Sequence, residues 1–337
     1  KSTTMKISTF IRAIGCFILM TSLAFAQKAE APDYQYDVGA SINDMTITQG
    51  GTMVVATNDG LVGIKPGEKD LLFNFTEYGK VKPEELLFIP NAPYVVVGQT
   101  GFGGMITKKA VIDYMSGKVL FTTQDNGWKL VWSCTVMMPQ NKLVVTGQRR
   151  SDESYANAIA IYDLNTGERD HFFVLKGSEM VSGRPLMLSD VLIVPTTKSL
   201  FKINFKSGDI EWTTKTDDIK FMVADETEKQ IYALERSPNG KNTRIHKIDP
   251  MGKLLWEDPY KMKGAIAQFE ILPQGLAVVT NVDNSGQKGI AKLASGRSES
   301  KISFLDAANG TDLWEKAPKT KGFVQHFYIM EDGILFG

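Results

Sequence analysis

The chain has few cysteines and no excess of charge of either sign. Its 337 residues include two cysteines, and 38 basic side chains balance 38 acidic ones. A neutral chain lacks the basic surplus that releases counterions from nucleic acid, which argues against a nucleic-acid partner. The remaining composition, 43% hydrophobic and 23% charged, is typical of a globular protein with ample core.

Long apolar runs are also missing, apart from residues 13–25 near the N-terminus. That run follows Lys6 and Arg12 and ends in Ala24-Phe25-Ala26, a pattern that signal peptidase cleaves. It is shorter than the ~20 residues that a helix needs to span a bilayer. We therefore predict a periplasmic or secreted protein with no transmembrane span after signal cleavage.

The predicted signal peptide is residues 5–26, beginning at Met5. Residues 1–4 are interpreted as non-native or as an upstream leader. Cleavage would remove Cys16 and leave Cys134 alone, so neither an intrachain disulfide nor a cysteine-based metal cluster can form. The three histidines have no metal-ligand spacing, so we expect no metal and place them at the surface or at a rim.

One pattern recurs along the chain, and its clearest copy is Leu305–Trp314, LDAANGTDLW. An acidic residue follows an apolar one, a glycine comes four residues later, and an aromatic residue comes four further on. An aspartate there can accept hydrogen bonds from turn N–H groups, and the glycine supplies the positive φ that the turn needs. The copies contain, in order, Asp113, Gly117 and Phe121; Asp163, Gly167 and the His171-Phe172 pair; Asn204, Gly208 and Trp212; Asp249, Gly252 and Trp256; and Asp306, Gly310 and Trp314.

The spacing of the copies predicts the fold. The motif glycines from Gly67 to Gly310 lie 41 to 58 residues apart, which is the period of a propeller blade. Short apolar segments with turn residues between them fill each period, as expected for four strands. One four-stranded sheet cannot bury both faces unless neighbours stack on it. We therefore predict an all-β protein, a β-propeller of four-stranded antiparallel blades with six complete sets and a partial seventh.

The predicted propeller occupies residues 40–337 and is expected to be incomplete at its C-terminal end, with seven or eight blades in the full-length protein. Residues 27–39 form a separate N-terminal segment. Within it, Tyr34–Val38 alternates in the manner of a strand. We expect this strand to close the ring as the outer strand of the last blade.

The recurring motif resembles the tryptophan-docking motif of pyrroloquinoline-quinone-type β-propellers. That family includes quinoprotein dehydrogenases and cofactor-free outer-membrane assembly factors of the BamB type. The resemblance covers residues from about 40 to 337 and is weak in the first copy, where Lys65-Pro66-Gly67 lacks the aspartate. The signatures of WD and kelch repeats are absent.

The resemblance implies two kinds of function. Quinoprotein dehydrogenases hold pyrroloquinoline quinone with a calcium ion, a catalytic aspartate and often two adjacent cysteines, and this sequence has no adjacent cysteines. We therefore favour an exported, non-enzymatic binding or scaffold protein of the cell envelope, with a protein or small-ligand partner and no cofactor. A dehydrogenase that depends on pyrroloquinoline quinone and calcium is the alternative, and the oligomeric state stays open.

The candidate binding residues are those in which the copies differ. When the first strands are aligned on Pro90, Pro139 and Pro273, polar residues stand at the start of each strand apart from one thiol. First strands are innermost in a propeller, so these residues would ring one mouth of the central channel; a solvated rim without a ligand is the alternative. The ring is predicted to contain Asp44, Glu85, Cys134, Arg184, Lys220, Gln268 and His326. Trp128 and Trp132 on the same side are candidates for a partner contact or for packing between blades.

Overall fold

The fold consists of short antiparallel sheets that follow one another along the chain. The computed structural model describes residues 34–100, 106–151, 154–216, 218–236, 241–283, 298–330 and 333–336. The predicted signal peptide, residues 1–4 and Cys16 lie outside the described residues. Within these ranges there are six four-stranded sheets and one two-stranded sheet, each built from consecutive strands. The predicted β-propeller of four-stranded blades is therefore confirmed.

Each blade runs from an inner first strand to an outer fourth strand. A 3₁₀ turn, Pro83–Glu85, precedes the second blade. The strands of blades one to three are β1 (Ile42–Ile47), β2 (Met53–Thr57), β3 (Leu61–Ile64) and β4 (Phe73–Phe75); β5 (Leu86–Phe88), β6 (Tyr94–Thr100), β7 (Ile106–Asp113) and β8 (Lys118–Thr122); β9 (Trp128–Met137), β10 (Lys142–Ser151), β11 (Ser154–Asp163) and β12 (Arg169–Val174).

The later blades repeat this order, and the seventh contains two strands in the described residues. Their strands are β13 (Leu186–Met187), β14 (Val191–Pro195), β15 (Ser199–Asn204) and β16 (Ile210–Lys215); β17 (Ile219–Ala224), β18 (Ile231–Arg236), β19 (Asn242–Ile248) and β20 (Tyr260–Lys263); β21 (Ala265–Leu272), β22 (Gly275–Val282), β23 (Glu299–Asp306) and β24 (Lys319–Lys321); β25 (Phe327–Met330) and β26 (Gly333–Phe336).

The second strand of each complete blade is buried on both faces. In β14, Leu192 and Val194 pack towards blade three, while Ile193 packs towards blade five. Side chains alternate between the two faces of a strand, so a strand between two neighbouring blades must be apolar throughout. The same alternation joins each blade to the next from blade one to blade seven, which makes the core a series of layers between blades.

The recurring acidic residue closes the turn between the third and fourth strands. Asp306 Oδ1 accepts hydrogen bonds from the backbone N–H groups of Ala308 at 2.7 Å and Asn309 at 3.2 Å. The equivalent first bond is 2.7 to 2.9 Å long in blades two to five, where Asn204 replaces aspartate in blade four. Such side-chain bonds stabilise a turn locally, which explains why one pattern recurs with little variation.

The motif glycine provides the site at which the preceding blade docks. Gly310 has a φ of +75°, and a Cβ atom at this position would lie 2.6 Å from Cδ2 of Trp256. Trp212 covers Gly252 and His171 covers Gly208 in the same way. Any side chain at these glycines would displace the ring, so backbone conformation and packing between blades both require glycine.

The motif aromatic residues do not all lie in strands: Trp256 and Trp314 precede the outer strands β20 and β24, whereas Phe121 and Trp212 lie within theirs. One sequence-based expectation is not met. In the N-terminal segment, Tyr34–Val38 forms no strand; Tyr36 and Val38 pack on the open face of blade one against Val55 and Val62. The proposed role of this segment in ring closure stays a prediction.

The contact between motif ring and glycine is testable by substitution. Gly310→Ala should lower the free energy of unfolding by ~1 to 2 kcal/mol for the left-handed φ and by a further ~1 to 3 kcal/mol for displacement of Trp256. Urea unfolding followed by tryptophan fluorescence measures the change. Gly67→Ala is the matched control, because Gly67 has a φ of +89° with no atom within 4 Å of a Cβ. Equal losses in the two variants would contradict a docking role for the glycine.

Candidate functional site

A β-bulge marks the start of the inner strand in several blades. One residue is skipped between Ile42 and Asp44, between Val131 and Ser133, between Ile219 and Phe221, and between Ile266 and Gln268. Bulges re-aim the side chains beside them. We call the residue that follows the bulge the rim position.

The rim position is set by the strand register. It falls on Asp44, Ser133, Phe221 and Gln268, which pair with equivalent residues of the second strands. In blades two, four and seven, the residue at the equivalent register lies one or two residues before the first strand. These residues are Glu85, Arg184 and His326. Five of the seven residues predicted from sequence therefore share this position: Asp44, Glu85, Arg184, Gln268 and His326.

The other two predicted residues are displaced by one, for different reasons. Cys134 lies one residue after the rim position. Met137 and Ile89 are equivalent in register at the ends of their inner strands, but Pro139 comes two residues after Met137 whereas Pro90 directly follows Ile89. Lys220 is the residue skipped by the bulge itself. Ser133 and Phe221 stand in their places. An alignment on proline cannot detect the displacement, because neither a bulge nor a difference in turn length can be recognised from the sequence spacing.

Blades four and five bring Lys220 close to the segment that carries Arg184. The Nζ of Lys220 donates to the carbonyl oxygen of Ser182 at 3.1 Å and forms an ion pair with Asp218 at 2.6 Å. The Ser182 hydroxyl donates in turn to the carbonyl oxygen of Ile219 at 2.7 Å. Arg184 is exposed beside this junction, and Phe221 is 53% exposed. The junction thus presents a guanidinium and an aromatic ring to solvent.

Blades six and seven are joined through the rim position itself. The side-chain amide of Gln268 donates to the carbonyl oxygen of Gln325, and its Oε1 accepts from the backbone N–H of Phe327 at 2.8 Å. His326 lies between these two partners and is exposed. Gln268 therefore has a structural role in holding two inner strands together, while His326 remains open to contact.

Cys134 and Trp128 belong to the core between blades two and three. Cys134 is 8% exposed, and burial raises the pKa of its thiol to about 12. Trp128 is 6% exposed and donates from Nε1 to the Tyr162 hydroxyl at 3.0 Å. Of the two tryptophans, Trp132 is the exposed one, at 37%, and it is the residue that the bulge of blade three extrudes. Trp128 is accordingly a packing residue and Trp132 a surface residue.

A charged cluster lies behind the rim in blade five. Glu235 is 3% exposed, and its carboxylate pairs with Arg244 at 2.9 Å and His246 at 3.0 Å. Glu235 is directly opposite Ile219, next to the bulge. The sequence places His246 at the surface or at a rim, whereas its side chain is 13% exposed and lies mostly buried in this cluster behind the rim position. Glu85 at blade two is also 8% exposed and accepts from the backbone N–H of Lys82 at 3.0 Å.

Among the described residues, no three side chains of histidine, cysteine, aspartate or glutamate are grouped closely enough to hold a metal ion. Within the same ranges, no helix combines the length and the apolar composition needed to cross a membrane.

The fold and rim define a β-propeller with a varied inner surface. No protein-family profile matches the chain, and no curated protein matches it in sequence. BamB from Moraxella catarrhalis is similar over 90% of this chain and 82% of its own, at 14% identity and a TM-score of 0.47. The Cps50 (Swd1) β-propeller domain of Myceliophteria thermophila is similar over 86% and 90%, at 13% identity and 0.43.

A chain of a mitotic checkpoint complex is also similar, over 93% of this chain and 94% of its own, at 12% identity and a TM-score of 0.47. No function follows from similarities at these values. The class of the protein comes from its own strand order and blade contacts.

The burial of Cys134 is testable by thiol labelling. At pH 8 the native protein should react with Ellman's reagent at Cys134 about a thousandfold more slowly than an exposed thiol does, because a pKa of about 12 leaves almost no thiolate. Denaturant should restore rapid reaction. Cys134→Ser gives the blank, and Phe221→Cys in that background should react rapidly from the rim. Rapid labelling of Cys134 in the folded protein would mean that it is open to the channel after all.

Proposed function

We propose that this chain is an exported, non-enzymatic β-propeller that binds a protein or small-ligand partner in the cell envelope through its rim. Export is supported by the sequence pattern of residues 5–26. The binding role is supported by one observation: the rim position carries a different side chain in every blade, whereas the motif positions repeat.

The repeated positions are fully occupied by structural contacts. Motif acidic residues hold turns, and motif glycines receive the ring or backbone of the preceding blade. Rim residues have no such common contact, so the scaffold places few demands on their identity. Functional residues in repeat proteins are expected at positions of this kind, because variation there leaves the stacking of repeats intact.

The chemistry of the exposed rim suits a macromolecular partner. Phe221, Arg184 and Trp132 combine large apolar area with a guanidinium, and these residue types are enriched at the centres of protein interfaces. A single exposed aromatic residue is common on any surface. Here the aromatic residues extend from inner strands, where they do not contribute to the core between blades.

The rim hypothesis predicts a position-specific loss of partner binding. Phe221→Ser and Arg184→Glu should each reduce recovery of a partner from envelope extract about tenfold or more, in keeping with the loss of an interface hot spot. Quantitative pull-down with the purified full chain measures the recovery. Met251→Ser is the control, since Met251 is 75% exposed in a motif turn at the outer edge. The hypothesis fails if the rim variants retain the partner, or if the Met251 variant loses it equally.

The dehydrogenase alternative has a direct test of its own. If the chain is a scaffold, adding pyrroloquinoline quinone and Ca²⁺ should leave the melting temperature unchanged and leave the quinone spectrum that of free cofactor. Differential scanning fluorimetry and absorbance of the dialysed protein measure both. Uptake of the quinone that requires Ca²⁺ and raises the melting temperature would replace the scaffold hypothesis with the enzyme.

A further inference from the structure

An imidazole ring joins blades three and four. His171 docks on Gly208, whereas Trp212 and Trp256 dock at the next two joints. The imidazole Nε2 lies 2.6 Å from the carbonyl oxygen of Phe205, which fixes the ring at one end of the joint. Two cavities extend along this joint, of about 470 and about 360 Å³.

The smaller cavity, which we call the blade cleft, has apolar walls. Phe173 and Leu175 of blade three face Phe201, Ile203 and Ile210 of blade four across it. Its volume of about 360 Å³ is within the range of ~300 to 1,000 Å³ that is usual for small-molecule sites. The cleft lies between the outer halves of two blades, so it is separate from the rim.

A buried carboxylate lines this apolar cleft. Glu179 is 9% exposed, and its Oε1 accepts hydrogen bonds from the hydroxyls of Ser199, at 2.7 Å, and Thr196. Among the described residues, no side chain or backbone group donates to Oε2, and no cation pairs with Glu179. Lys176 and Lys198 also line the cleft, but both are exposed.

A carboxylate next to apolar walls gains a strong hydrogen bond from a cationic donor. Both hydroxyls donate to one oxygen of Glu179, and the other oxygen is not sealed from solvent, so a ligand in the cleft can reach it. The group that matches it is a cationic donor, and the walls match an apolar body attached to that donor. Exposed lysines oppose a cation weakly, because solvent and salt screen them more than they screen a buried charge.

We propose that the blade cleft binds an organic ammonium group attached to an apolar body, with the nitrogen donating to Glu179. The same chemistry occurs in a free arylalkylamine and in a lysine side chain of a partner protein. No donor among the described residues reaches Oε2 of Glu179, so the ammonium group provides a hydrogen bond and a charge at that oxygen.

Three isosteric probes separate the contribution of charge from that of the walls. We expect 2-phenylethylammonium to bind the full chain at least about tenfold more tightly than 2-phenylethanol, the difference expected for a charge-assisted hydrogen bond. Phenylacetate should bind more weakly than either. Isothermal titration calorimetry at fixed ionic strength measures all three.

Variants of residues that line the cleft assign the site. Glu179→Gln should reduce the affinity for the ammonium probe to that for the alcohol while leaving alcohol binding unchanged. Ile210→Trp should close the cleft and abolish binding of both. Glu211→Gln is the matched control, because it removes a carboxylate next to Ile210 that pairs with Lys202 at 2.9 Å, and it should leave the affinity for every probe unchanged. Circular dichroism confirms that each variant is folded.

The proposal is overturned if phenylacetate binds more tightly than the ammonium probe, if no probe binds, or if Glu179→Gln leaves ammonium binding intact. Competition then identifies the source of the ligand. A capped tripeptide with a central lysine that displaces the probe, while its norleucine counterpart does not, supports a partner's lysine. Binding of the free amine without competition by the peptide supports a small molecule.

Discussion

The contact between a docking residue and the glycine of the next blade is the constraint on which the stacking depends. It occurs at consecutive joints: Leu72 on Gly117, Leu120 on Gly167, His171 on Gly208, Trp212 on Gly252 and Trp256 on Gly310. Because glycine has no Cβ, a ring or carbonyl group can lie directly on the turn, and the turn itself is held by the adjacent acidic or amide side chain. Glycine at this position therefore permits both the local turn and the close approach of the neighbouring blade.

Stability in such a stack comes from repeat units and the joints between them, so a change at one joint has mainly local effects. This explains how the chain can vary its docking residue without losing the fold. Tryptophan fills the joints after blades four and five, and the smaller imidazole of His171 occupies the joint after blade three. Cavities occur along more than one joint: one of about 470 Å³ lies beside His171, and one of about 660 Å³ lies between blades five and six, which Trp256 joins. The size of the docking residue alone therefore does not determine where a cavity forms.

How much of this could be predicted from sequence depends on whether the determinant is local. The turn motif was predictable because Asp306, Gly310 and their equivalents act within five residues of chain. The rim was predictable only to within one residue, since Cys134 and Lys220 are displaced by a turn length and a bulge. Glu179 could not be predicted at all. Its burial comes from Thr196 and Ser199, 17 and 20 residues away, and from a neighbouring blade.

The bulge shapes the inner strand of four blades, next to the position whose side chain varies. An unpaired residue in an inner strand removes one regular step of the ladder with the second strand, yet it occurs in blades one, three, five and six. Stacking of the apolar second strands does not require it, because those strands pack through their own alternating side chains. Two of the skipped residues reach beyond their own blade: Asn43 donates to the carbonyl oxygen of Val81 at 3.0 Å, and Lys220 donates to that of Ser182 at 3.1 Å. Trp132, the skipped residue of blade three, is 37% exposed instead. The same backbone irregularity therefore joins neighbouring blades in some copies and places a side chain at the surface in another, while the stacking of the second strands is unchanged.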